Sequence, residues 1–198
     1  MWNQRYAEPG FLFGTEPADF LKRHAAVLPD GAGVLAVADG EGRNSVYLAG
    51  LGHRVTAMES SPVALAKAAD LATARGVTVN RQQGDIFAWD WAPEAFDAVV
   101  AIFIQFAAPP QRKLIHQGIA RTLRPGGLLL MHGYAPRQVG YGTGGPPSTA
   151  NMYELPLLAA DFPGWQVLHQ ADYDADLAEG SRHVGRSALV DFIARKPG

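Results

Sequence analysis

The sequence predicts a doubly wound α/β fold: a mostly parallel, seven-stranded sheet with helices on both faces and an antiparallel hairpin at its C-terminal end. Three observations predict it. Short apolar runs alternate with helical patterns along the chain, which is the signature of strand–helix–strand units. The run Val34-Leu35-Ala36-Val37-Ala38 passes straight into Asp39-Gly40-Glu41-Gly42, a glycine turn that opens a helix. The last two strand-like segments, 165–173 and 187–194, have no long helical pattern between them, so they are expected to pair antiparallel.

Each element has a local reason. Residues 17–28 place Phe20, Leu21, Ala25 and Leu28 on one helical face, and Pro29-Asp30-Gly31 ends the pattern. Residues 34–38 read as a strand covered on both faces. The helix after Gly42 has Val46, Leu48, Ala49 and Leu51 on its apolar side, with Asn44 or Ser45 as the expected cap. Residues 54–58 form the second strand; Ser60 or Ser61 then caps a helix whose first turn suits Pro62 and whose Ala-rich body, 64–75, stops at Gly76. A third strand at 77–82 leads to Gly84-Asp85. The apolar run 96–104 is expected to be central. A helix at 109–123 closes on Arg124-Pro125-Gly126-Gly127, and 128–134 is the fifth strand. A last helix is expected at 152–161. No linker interrupts the series, so 1–198 reads as one domain, with 1–30 as a cap segment and 134–150 as a loop beside the site.

Composition narrows the function. With 47% hydrophobic and 18% charged residues, the chain can bury a full core. A net charge of −2 without a basic block argues against a nucleic-acid partner, which needs clustered Lys and Arg. The absence of cysteine excludes disulfides and thiolate chemistry. No paired His-Glu motif is present, so no metal is expected. The N-terminus has no signal-peptide pattern and no run approaches the roughly 18 apolar residues of a membrane span, so a cytoplasmic protein without membrane association is expected.

The glycine turn is the first functional signal. Gly40 and Gly42 carry no Cβ, and a helix start offers free N–H groups to the polar part of a nucleotide-like ligand. Glu59 is the second. It ends the second strand seventeen positions after Gly42, where a carboxylate can accept both hydroxyls of a ribose. The strand ends carrying Asp39 to Gly42, Glu59, Gly84-Asp85 and Ile104 to Phe106 should converge, because ligands of such sheets sit beyond the strand carboxyl ends.

On these residues the chain resembles the class I S-adenosylmethionine-dependent methyltransferases, whose fold is Rossmann-like. The small bacterial group related to tellurite-resistance and thiopurine methyltransferases is the most similar. The resemblance runs through Trp2 with Arg5-Tyr6, Phe13-Gly14, Pro17, Phe20-Leu21, Gly40-Glu41-Gly42-Arg43-Asn44, 55–62, Gly84-Asp85, Leu123 to Gly127, and Tyr141-Gly142-Thr143-Gly144-Gly145-Pro146. It implies that S-adenosylmethionine is the cofactor and that Ala38, Asp39, Gly40, Gly42 and Asn44 surround its methionine part. Glu59 and Ser60 would meet the ribose, Asp85 and Ile86 the adenine, and Ile104 the floor near the sulfonium. Where the family has an acid and its first glycine, this chain has Ala36 and Ala38. The ammonium contact therefore needs another partner, Asp39 or Glu41, and at Ala38 a slight backbone shift is expected.

The acceptor side is expected among Tyr6, Gln105, Arg137 and Tyr141, with Gln138 on the same loop and His132 and His183 as base candidates. His24, His53, His116 and His169 read as surface residues. The resemblance implies a small-molecule acceptor, with soft sulfur, selenium or tellurium nucleophiles foremost. Two rivals share the same residues: an NAD-dependent oxidoreductase, whose fingerprint wants Gly or Ala where Ser45 stands, and a non-catalytic S-adenosylmethionine-binding protein. The oligomeric state is not legible.

Overall fold

The computed structural model describes residues 2–198. Seven strands form one sheet in the order β3-β2-β1-β4-β5-β7-β6. They are β1 (Gly33–Val37), β2 (Arg54–Glu59), β3 (Asn80–Gln83), β4 (Phe96–Ile102), β5 (Leu123–Tyr134), β6 (Gln166–Glu179) and β7 (His183–Arg195). The first five pair parallel, while β7 runs antiparallel to both β5 and β6. The helices are α1 (Trp2–Tyr6), α2 (Asp19–His24), α3 (Arg43–Gly50), α4 (Pro62–Ala74), α5 (Pro109–Thr122) and α6 (Leu155–Asp161).

Period-two burial explains the layering. Val34 and Ala36 point into a core shared with Phe20, Leu21, Val46 and Leu71. Leu35 and Val37 point into the opposite core, with Ile115, Ile119, Phe162 and Phe192. A strand with apolar residues on both faces can only lie between two helical layers. Ala36 is thus packed among apolar neighbours.

Several boundaries moved, each for a local reason. The expected helix 17–28 is α2 followed by a 3₁₀ turn at Ala25–Val27. The expected third strand, 77–82, shifts to Asn80–Gln83. Val79 is spent in the core and Val77 packs beside it, ahead of the pairing, and the polar edge strand that remains is fully exposed. Such an edge resists pairing with a second sheet. The fifth strand begins at Leu123, opposite Phe96, and its ladder shifts register across the Pro-Gly-Gly segment. A Cβ on Gly127 would lie 2.8 Å from the Arg124 carbonyl oxygen and 3.1 Å from that of Asp97. The closing hairpin is longer than expected, because its ladder continues through charged residues out to Glu179 and His183. Charges that alternate along a strand hide a ladder from an apolar pattern.

The tip of that hairpin reaches back to the N-terminal segment. A Cβ on Gly180 would sit 2.4 Å from backbone atoms of Phe13 and Gly14. Beside the tip, Arg43 and Glu179 form an ion pair at 2.8 Å, with only 7% and 6% of their side chains exposed. Glu179 also accepts from the Asp19 N–H at 3.0 Å. Burial alone would raise the Glu179 pKa, but the facing His183 and Arg43 and the Asp19 N–H outweigh it and hold the group at about 2.

Two outcomes follow from this pair. Removing one member of a buried pair strands the other, so Arg43→Ala should destabilise the fold by about 3–5 kcal/mol in urea unfolding at neutral pH. Because the folded pKa is depressed below the ordinary 4.5, the contribution is present above pH 4.5 and is lost as pH falls toward 2. An acid titration of stability that is equally steep in Arg43→Ala would contradict this assignment.

Candidate functional site

The site is built on the turn between β1 and α3. Ala38, Gly40 and Gly42 all have positive φ, at 48°, 64° and 90°. Ala38 stands where the resemblance places a glycine and adopts the left-handed conformation despite its Cβ, at the cost of local strain. At Gly42 the requirement is close packing: a Cβ would lie 2.7 Å from that of Ala68 on α4. At Gly40 a Cβ would lie 2.9 Å from the Tyr6 hydroxyl.

Neither Asn44 nor Ser45 caps α3, contrary to expectation. Its N-cap is Gly42, without a side-chain bond. Asp39 takes over that role across the turn, accepting from the Ser45 N–H at 3.3 Å and from the Ser45 hydroxyl. Asn44 instead turns outward from the helix start and accepts from the Ala18 N–H at 3.0 Å. Burial pushes the Asp39 pKa up to about 7, against the opposing bonds from Ser45.

Glu59 ends β2 and is 5% exposed. Its carboxylate accepts from the Gly40 N–H at 3.0 Å, the Ser61 N–H at 2.9 Å and the Ser60 hydroxyl at 3.1 Å. Ser61 caps α4 by accepting from the Ala64 N–H. The Gly84 N–H donates to the Glu59 carbonyl at 3.0 Å, which brings Asp85 and the buried Ile86 beside the same edge. Ile104 is buried at the end of β4. Four strand ends thus converge, as the topology requires. Phe106, on the expected strand end, and Phe87, which the sequence did not single out, stand exposed on this rim with their rings edge-on at 6.2 Å. Their exposure was not legible, since large aromatics are normally buried.

The N-terminal segment covers the turn. Tyr6 is 5% exposed and lies against Gly40 of the glycine turn. Burial raises its pKa, reinforced by Glu59, Glu41 and Asp39, so its hydroxyl stays protonated. Glu41 is not free for an ammonium contact. It accepts from the Leu12 N–H at 2.7 Å and from Lys67 Nζ at 2.9 Å, fastening the segment down.

Three acceptor-side candidates are engaged elsewhere. The Gln105 amide is spent on the backbone of Tyr134, donating to its carbonyl at 2.8 Å and accepting from its N–H at 2.6 Å. Arg137 pairs with Asp172 and Asp174 on β6, and the Tyr141 hydroxyl donates to Asp174 at 2.6 Å. Gln138, on the same loop, is fully buried and accepts from the Ala188 N–H at 2.7 Å. The loop therefore lies latched along the hairpin.

The histidines sort differently from expectation. His132 is buried and bonded through Nδ1 to Asp191 at 2.7 Å. His116 is buried against Asp161, and His24 and the partly exposed His169 both face Asp191. His183 sits among aromatic rings, 4.2 Å from Phe103, 4.5 Å from Phe13 and 5.9 Å from Tyr134 between centroids. Burial lowers its pKa, so it is neutral at pH 7. Its Nδ1 faces Glu179 Oε2 at 3.6 Å, beyond hydrogen-bond distance, and the Tyr134 hydroxyl is buried without a hydrogen-bond partner among the described residues.

Comparison with known proteins agrees with this geometry. Residues 34–127 match the family described as a methyltransferase domain. A structure from work on converting a disulfide bond into a thioacetal group during echinomycin biosynthesis aligns with a TM-score of 0.76 at 21% identity, covering 96% of this chain and 84% of that one. TehB from Haemophilus influenzae aligns with a TM-score of 0.69 at 19% identity over 90% of this chain, which spans 61% of TehB. The N-methyltransferase NodS from Bradyrhizobium japonicum WM9, in complex with S-adenosylhomocysteine, aligns with a TM-score of 0.74 at 14% identity over 100% of this chain and 97% of NodS. No curated protein sequence gives a significant match.

The Gln105 geometry makes a testable distinction. Gln105→Ala leaves a buried N–H and carbonyl of Tyr134 without partners, at about 1–3 kcal/mol for each stranded group. The variant should melt well below the parent protein while any residual folded fraction keeps its cofactor affinity. A normal melting temperature would return Gln105 to the acceptor side.

Proposed function

We propose, from the match of residues 34–127 to the methyltransferase-domain family and from the fold shared with S-adenosylmethionine-dependent methyltransferases, that the chain transfers the methyl group of S-adenosylmethionine to a small-molecule acceptor. The observation that carries the reading is the Glu59 carboxylate, buried at the end of β2 and bonded to the Gly40 N–H of the glycine turn. One side chain thereby fixes the turn and a ribose acceptor in a single geometry.

The residues present fit the cofactor. The turn at Ala38, Asp39, Gly40 and Gly42 would pass beneath its methionine part, and Asn44 would hold the helix start in place through Ala18. Asp39 is the acid left for the ammonium group, since Glu41 is engaged with Lys67. Glu59 and Ser60 would hold the ribose, Asp85 and the Ile86 N–H the adenine, and Ile104 the floor. When bound, S-adenosylmethionine supplies a sulfonium methyl already activated toward nucleophiles. The protein's work is then to hold the acceptor in line and keep water out, and such positioning contributes roughly 7–11 kcal/mol to lowering a barrier.

For the acceptor, the aromatic group of Phe13, Phe103, Tyr134 and His183 is the favoured wall. It lies at the ends of β4, β5 and β7, beside the cofactor edge. Its Tyr134 hydroxyl, without a hydrogen-bond partner among the described residues, is the polar group offered there. Aromatic, poorly hydrated walls favour a soft, weakly solvated nucleophile such as a thiolate or its heavier analogues over a hard one. The 134–150 loop acts as the lid, with Arg137 and Tyr141 as latches to Asp172 and Asp174 rather than as acceptor ligands. The oxidoreductase alternative is disfavoured by sheet order. The common dinucleotide-binding order is 3-2-1-4-5-6, whereas here an antiparallel β7 stands between β5 and β6.

Three experiments test the reading. Calorimetry should show micromolar binding of S-adenosylhomocysteine, weakened at least about tenfold in Glu59→Gln, since bonds to a charged group contribute about 1.5–3 kcal/mol each. Equal affinity in that variant would reject Glu59 as the ribose ligand. A screen of small thiols, metalloid oxyanions and amines should produce S-adenosylhomocysteine with a soft acceptor. Binding without turnover on any acceptor would favour the non-catalytic reading. Arg137→Ala and Tyr141→Ala should lower turnover far more than cofactor affinity; a parallel loss of melting temperature and affinity would make the loop merely structural.

A further inference from the structure

We propose that His24, His169 and Asp191 form a binding site for a divalent transition-metal ion, and that zinc is the ion their chemistry suits. The sequence gives no warning of it. His24 ends α2, His169 lies on β6 and Asp191 on β7, so only the folded sheet brings them together.

The geometry is that of ligands around an ion rather than of a hydrogen-bonded cluster. His24 Nε2 lies 3.7 Å from Asp191 Oδ2, and His169 Nε2 lies 3.6 Å from the same oxygen. Both distances are too long for hydrogen bonds. Both nitrogens are nevertheless buried and have no hydrogen-bond partner among the described residues. The three ligand atoms lie within 4.8 Å of one another. A tetrahedral zinc ion with bonds of about 2.0–2.2 Å separates its ligands by roughly 3.3–3.6 Å, so small side-chain rotations complete the set. Two imidazoles and one carboxylate, with a fourth position open at the half-exposed His169 side, is a donor set that zinc accepts.

The surroundings are arranged to hold the carboxylate still. Asp191 is fully buried, and its other oxygen, Oδ1, accepts from the Tyr173 hydroxyl at 3.1 Å and is bonded to His132 Nδ1 at 2.7 Å. Partners of this kind orient a metal-binding carboxylate. Arg23 is the competing cation. Its Nη2 donates to Asp191 Oδ2 at 3.2 Å and to Tyr173, and about half of the side chain is exposed. An incoming ion therefore displaces Arg23 toward solvent and Tyr173. The ion would join α2 of the N-terminal segment to the β6–β7 hairpin, at the opposite end of α2 from the Glu179 contact at Asp19.

The test uses untagged protein stripped with a chelator and titrated with zinc chloride by calorimetry, and with cobalt(II) followed by visible absorption. The expected result is one ion per chain, a tetrahedral cobalt spectrum, and a melting temperature that rises with zinc. His24→Gln and His169→Gln should each weaken binding by at least about tenfold and lose the zinc-dependent rise. Arg23→Ala should bind more tightly than the parent. His169 is partly exposed, so its variant should fold normally, and its melting temperature without zinc checks this. Absence of saturable one-to-one uptake, or equal affinity in both histidine variants, would overturn the site. Neither result bears on S-adenosylhomocysteine binding, which is measured apart.

Discussion

Arg43 and Glu179 are both withdrawn from water, on segments far apart in sequence, and neither could stay buried without the other. Arg43 opens α3 directly after the glycine turn; Glu179 ends β6 at the hairpin tip. Arg43 also donates to the Phe13 carbonyl, and Glu179 accepts from the Asp19 N–H. The pair therefore fixes three parts at once: the turn, the hairpin and the N-terminal segment laid between them. The cost of desolvating two charges is offset only because geometry and extra hydrogen bonds are supplied together. That requirement explains why the hairpin must extend to residue 179 and why Gly180 meets the backbone of Phe13 and Gly14.

The crevice inherits its form from this arrangement. With the N-terminal segment held down, Tyr6 lies over Gly40 and Glu41 is consumed by Leu12 and Lys67. The acidic position of the family motif is filled by Ala36, which faces an apolar layer. Asp39 is thereby the carboxylate left beside the turn, and burial brings its pKa to about 7. Ala38 holds a left-handed conformation that glycine would adopt without strain. The motif is preserved as a backbone shape, although two of its residue types have changed.

The hairpin does more than close the sheet. Because β7 enters between β5 and β6, it presents Asp191 to His132 on one side and to His24 and His169 on the other. It also carries His183 into the aromatic group at the strand ends and receives the latched loop through Ala188 and Gln138. A single antiparallel strand thus links the aromatic group, the latched loop and the histidine cluster.

The sequence by itself determined the sheet, its two-sided burial, the glycine turn, the placement of Glu59 and the antiparallel ending. These are local signals: an apolar period, a residue without Cβ, a carboxylate at a fixed offset from a turn. Tertiary structure alone decided which polar side chains remain available. Gln105, Gln138, Arg137 and Glu41 all read as site residues in one dimension, and each is taken up by a partner from 5 to 50 positions away. His24 and His169 read as surface residues for the complementary reason. Burial and hydrogen bonding depend on what the fold lays beside a side chain, and a sequence pattern records only what lies next to it along the chain.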